Sequence, residues 1–79
     1  MTRPSNIALF AAYLCAVKEA GEVPSGHLYA IAMEAGVGLA QHLHVLSVLR
    51  SSNMVVESNY LLSITDHGRS TAEKLEAIV

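Results

Sequence analysis

The stretch "LLSITDHGRSTAEKL", Leu61–Leu75, decides the fold. It begins as an apolar, β-rich run and turns polar and helix-opening within two residues. Leu62 and Ile64 share one face of a strand, and Tyr60 has the same parity. Thr65 or Asp66 then stands where a helix takes its N-cap, and Asp66 also complements the positive end of the helix dipole. Gly68, Ala72, Leu75 and Val79 follow at helical spacing, with Ile78 beside them, and Arg69 and Glu73 form an i,i+4 pair. A strand running straight into a capped helix needs a core, which the residues before it must build.

Immediately upstream, "MVVES" (Met54–Ser58) is a second β-rich run. With Ser58 and Asn59 between the runs, the pair reads as a tight antiparallel hairpin. Three helices precede it. Pro4 suits a first helical turn, Thr2 or Ser5 can cap it, and good helix formers run to Ala20 before Gly21, so the first helix spans about 4–20. "EVPS" reads as a short connector. Ser25 can cap the second helix, "GHLYAIAMEA", which stops at Gly36. The third runs from Leu39 to about Ser52, where Asn53 can take the left-handed conformation that ends a helix. The short "GVG" between helices two and three is a helix-turn-helix signal. There is no internal repeat or linker.

The chain has 79 residues, 52% apolar and only 15% charged, with a formal net charge of −2. That is one domain, too apolar for disorder. The net charge gives no global electrostatic case for nucleic acid or an anionic membrane. Cys15 is the sole cysteine, so no internal disulfide forms; an inert buried thiol fits a reducing, cytoplasmic setting. "IALFAAYLCAV" (Ile7–Val17) imitates a secretory signal after Arg3 but is too short to span a bilayer. Lys18 and Glu19 stand where a cleavage site would be, so the segment belongs to the fold.

Two long stretches, "IAMEAGVGLAQHLHVLSVLRSSNMV" (Ile31–Val55) and "YLLSITDHGRSTAEKL" (Tyr60–Leu75), carry a family likeness. A helix ends, a glycine-containing turn follows, and the next helix carries spaced leucines. Asn53, Met54 and Val55 lead into a hairpin, and Ile64, Thr65, Asp66, His67 and Gly68 open the last helix. Over about residues 25–75 the chain resembles the winged helix-turn-helix domains of small bacterial and archaeal transcription regulators, of the MarR and PadR type. The resemblance implies a mainly α fold with a small β-hairpin, in the order α-α-α-β-β-α, as one domain over 1–79. The helix-turn-helix would occupy about 25–53, the wing 54–65 and the C-terminal helix 66–78. It also implies a dimeric, sequence-specific DNA-binding protein that sets two recognition helices into successive major grooves.

On a helical wheel of the third helix, Leu39, Leu46 and Leu49 make the inward stripe, with His42, Leu43 and Val45 at its edges. Ala40, Gln41, His44, Ser47 and Ser51 lie opposite. The DNA-contacting candidates are therefore Ser25, His27, Gln41, His44, Ser47 and Arg50. Gln41 and His44 are suited to base edges, and Arg50 and the serines to phosphate. His42 and His44 project about 200° apart on a helix, which is wrong for a chelate, so no metal is expected. His42 reads as a partly buried, hydrogen-bonded side chain and His44 as an exposed one. No nucleophile elbow or phosphate loop occurs, so neither an enzyme nor a cofactor is expected.

Helix one has two apolar stripes. Ile7, Phe10, Ala11, Leu14 and Val17 form one; Leu9, Ala12, Tyr13 and Ala16 form the other. A helix apolar all round is buried all round. We therefore expect a homodimer with Leu9, Tyr13 and Ala16 at its interface. A rival to the DNA reading comes from charge. Between Ser25 and Tyr60 the only Lys or Arg is Arg50, against Glu34 and Glu57. Phosphate contacts need cations, so a protein-protein interaction module that does not bind DNA is the alternative.

Overall fold

The computed structural model describes residues 4–78; the Thr2 cap, the Ile78 side chain and Val79 lie outside the described residues. Within them the chain is mainly helical with a small antiparallel sheet, as the sequence predicts. The elements are α1 (Asn6–Ala20), β1 (Glu22–Pro24), α2 (Ser25–Glu34), α3 (Leu39–Ser51), β2 (Val55–Ser58), β3 (Leu61–Ile64) and α4 (Asp66–Ile78).

Local signals set most of the boundaries. Ser5 caps α1, its hydroxyl accepting from the Ala8 amide at 3.1 Å. Gly21 ends that helix at φ 79°, and its amide donates to the Val17 carbonyl. Asn53 ends α3 at φ 61°, the left-handed conformation that asparagine tolerates. Thr65 is the cap of α4. Its Oγ1 accepts from the Gly68 amide at 2.9 Å and has the Asn53 and Met54 carbonyls within hydrogen-bonding reach.

The sheet corrects the sequence reading. The segment expected as a connector supplies a third strand, and the order is β1-β3-β2. Val23 pairs with Leu62 and is buried. Pro24 is tolerated because β1 is an edge strand, where a missing N–H costs no ladder bond. Three residues are too few to show a period-2 pattern, so only the pairing reveals the strand. Ser25 is likewise not a cap. It is the first residue of α2, follows Pro24, and donates its amide to the Tyr60 carbonyl at 3.2 Å. The hairpin tip thus satisfies one of the free amides of α2.

The tip is one residue later than expected. Asn59 and Tyr60 both have positive φ, 53° and 65°, as a type I′ turn requires. Tyr60 therefore sits in the turn, 81% exposed, and not on the apolar face of β3. A tyrosine in this region is uncommon.

The core draws on every element. Leu9, Tyr13, Leu14 and Val17 come from α1, Leu28 and Ala32 from α2, and Val45, Leu46 and Leu49 from α3. Met54, Val55, Leu62 and Ala72 close it. One polar side chain joins them. His42 is buried, and its Nδ1 lies 2.6 Å from the Tyr13 hydroxyl. The edge of the Tyr29 ring packs on the same imidazole, with centroids 5.4 Å apart. Among the described residues the ion pairs are Lys18–Glu76 and Arg50–Glu57; the expected Arg69–Glu73 pair is not one of them. Lys18–Glu76, at 2.9 Å, ties the last turn of α1 to α4. No helix among the described residues is long and apolar enough to cross a membrane.

Candidate interaction surface

The face of α3 turned inward is His42, Val45, Leu46 and Leu49, spaced i, i+3, i+4, i+7. This corrects the expected stripe. Leu39 leaves it and stands 58% exposed, and Leu43 stands 52% exposed. The reason is the histidine. Once His42 finds the Tyr13 hydroxyl, it can be buried as a core residue, and the helix turns toward it. Placing His42 at the edge of the stripe rotates the helix the wrong way.

The DNA-contacting candidates separate in space. His27, His44, Ser47 and Arg50 are exposed, and Ser25 is half-buried at the start of α2. Gln41 is not on the free face. It is half-buried, and its Nε2 donates to the Pro4 carbonyl at 2.9 Å, tying α3 to the segment before α1. Arg50 reaches across to β2 and pairs with Glu57. Its charge is met within the chain, so Arg50 offers a phosphate less than a free guanidinium would.

What surrounds them is apolar. On α2, Tyr29 and Met33 are one turn apart and both exposed, Met33 at 60%. Leu39 and Leu43 are one turn apart on α3, flanking His42, on which Tyr29 packs. Exposed apolar side chains thus stand on both helices, on either side of the turn between them. Sequence reasoning missed this face because Leu39 and Leu43 had been assigned to the core. The signal that could have found it is the i, i+3, i+4, i+7 spacing starting from His42. The charges between Ser25 and Tyr60 are one cation and two carboxylates, so the region is net −1.

A second apolar region lies on the other side of α3. Ile7 and Phe10 of α1, His44 and Val48 of α3, and Thr71 and Leu75 of α4 line an open groove of about 380 Å³. Next to it, Ala11, Ala12, Cys15, Leu75 and Glu76 line one of about 330 Å³. Cys15 is half-buried there, and burial first, then the neighbouring Glu76, pushes its thiol pKa up, so it stays protonated at neutral pH. The expected dimer contacts do not lie on this side. Leu9 and Tyr13 point into the chain's own core, and Ala16 is half-buried against it. The buried face of α1 draws on both expected stripes, Leu9 and Tyr13 from one and Leu14 and Val17 from the other, and leaves Ile7 and Ala12 exposed.

Searches against protein-family models, curated proteins and solved structures find no match to this chain. The functional reading therefore rests on the surfaces themselves.

Proposed function

We propose that this chain is a winged-helix protein-interaction module whose α2–α3 face receives the apolar side of a partner helix. One observation carries the reading. Where a DNA-reading domain would offer cations, this face offers Met33, Leu39 and Leu43, and its single arginine is already paired with Glu57. Apolar side chains grouped on one side of a two-helix unit are what a helix-in-groove partner uses. The carboxylate of Glu34, exposed at the end of α2, favours a partner with Lys or Arg flanking its apolar stripe.

The test uses a fluorescein-labelled amphipathic peptide with leucines at i, i+3, i+4 and i+7 and flanking lysines. The wild-type chain should bind it and Leu43→Glu should bind at least about tenfold more weakly, roughly 1.4 kcal/mol. Leu43→Glu should fold as wild type does, because substitutions at exposed sites change stability by about 0.5 kcal/mol or less. Peptide binding that survives both Leu43→Glu and Met33→Glu would remove this face from the reading.

Sequence-specific DNA binding is the second reading, supported by the exposed His44 and Ser47 on the outward side of α3. Under it, the chain binds mixed-sequence duplex at low salt. Arg50→Ala would make the salt dependence shallower by about one phosphate contact. Under the interaction-module reading, anisotropy of the labelled duplex does not change with protein.

A further inference from the structure

Among the described residues, His42 is the one polar side chain buried in the core. It stands between two tyrosine rings from two other helices. Tyr13 of α1 meets it edge-on, with centroids 5.6 Å apart and the hydroxyl 2.6 Å from Nδ1. Tyr29 of α2 meets it at 5.4 Å, again edge-on. The two rings differ in exposure. Tyr13 is fully buried, whereas Tyr29 is 42% exposed beside Met33. Of the two, only Tyr29 can give way to water without opening the core. The ionisable groups facing His42 are Tyr13 from α1 and Tyr29 from α2. Burial alone pushes its pKa down, with no neighbouring charge contributing, so a proton on this ring has no counter-ion. No ion pair or side-chain hydrogen bond among the described residues joins α2 to α3, so nothing polar resists a shift of Tyr29.

We propose that His42 is a proton-operated latch on the α2–α3 face: its protonated form displaces Tyr29 to reach water, and the face then releases its partner helix. This regulates the docking site proposed above and rests on that reading. Leu39 and Leu43 flank His42 on α3 and Tyr29 packs on it from α2, so a shift there reaches both helices of the docking surface. Linkage fixes the sign. A partner helix laid over Tyr29 and Leu43 adds cover above His42, so the bound state favours the neutral imidazole more than the free state does. By reciprocity, protons weaken the partner.

The test reads anisotropy of a rhodamine-labelled form of the leucine-lysine peptide from about pH 7.5 down to 5.0. Near-UV circular dichroism confirms that the chain stays folded. Wild type should lose at least about threefold in affinity over this window. His42→Gln keeps a partner for Tyr13 but does not titrate, so its affinity should be constant. His27→Gln and His44→Gln, at exposed sites on the same two helices, should follow wild type. Proton NMR of the free chain is the second measurement. The Tyr29 ring signals should shift with the same midpoint as the His42 ring. Affinity that is flat in wild type, or that falls as steeply in His42→Gln, would overturn the proposal. If wild type binds no peptide even at the upper pH, the docking reading falls, and the NMR titration alone decides the latch. Tyr29 signals that stay still while His42 titrates overturn it.

Discussion

Gly68→Ala is expected to cost about 3 kcal/mol, the upper end of what overpacking costs. At about 4–8 °C per kcal/mol for a domain of this size, the melting temperature should fall by roughly 10–25 °C. A Cβ on Gly68 would overlap the Met54 carbonyl oxygen, with the Met54 carbonyl carbon 2.9 Å away and Ile64 Cγ1 at 3.1 Å. The carbonyl cannot swing aside cheaply. It accepts the Thr65 amide at 3.1 Å and lies 3.0 Å from the Thr65 hydroxyl, the group that caps α4. Gly68 is therefore the point where α4 crosses the exit of α3, and only a residue without a side chain passes. Gly26→Ala is the control. A Cβ there meets nothing within 4 Å, so replacing a helical glycine should stabilise by about 0.4–1 kcal/mol. Thermal melts followed by circular dichroism should move in opposite directions for the two variants. A Gly68→Ala melt within about 2 °C of wild type would mean that the α4–Met54 contact yields freely.

Tyr13→Phe should cost about 1–3 kcal/mol, because it leaves a buried imidazole nitrogen without its partner. The Tyr13 hydroxyl is 2.6 Å from His42 Nδ1, and both side chains are buried. Burial pushes the His42 pKa down and the Tyr13 pKa up, so both are neutral near pH 7. The phenol and Nδ1 share one hydrogen bond, whose donor is set by the imidazole tautomer. The same pair sets a pH dependence. With its folded pKa below the unfolded value of about 6.5, His42 takes up its proton more readily in the unfolded chain. Its contribution is thus complete above about pH 7 and lost as pH falls through 6.5 toward the lower folded value. The Lys18–Glu76 pair holds the Glu76 carboxyl below its usual range, so its loss comes at more acid pH and is separable. Urea titrations should therefore show stability falling between about pH 7 and 5. His42→Gln should flatten that slope, since glutamine can still meet Tyr13 but does not titrate. An unchanged slope in His42→Gln would place the titration on another group.

Local chemistry made much of this legible in advance. The helix ends at Gly21 and Asn53, the caps at Ser5 and Thr65, and the hairpin all follow from backbone preferences that act within a few residues. The full burial of His42 does not, because it rests on the Tyr13 hydroxyl 29 residues away. Choices of rotation and pairing were not legible. α1 is apolar on two sides, and only packing decided that Leu9, Tyr13, Leu14 and Val17 turn inward while Ile7 and Ala12 stay outside. β1 is too short to signal itself and exists because Val23 finds Leu62. Gln41 and Arg50 looked like free polar side chains until Pro4 and Glu57 came within reach. Gly68 could be placed at the start of a helix from sequence, but its need for no side chain depends on a carbonyl fourteen residues away. Sequence by itself determined the four helices and the β2–β3 hairpin, because those energies are local. Tertiary structure alone decided which face each helix shows and which charges remain free, because those depend on neighbours distant in the chain.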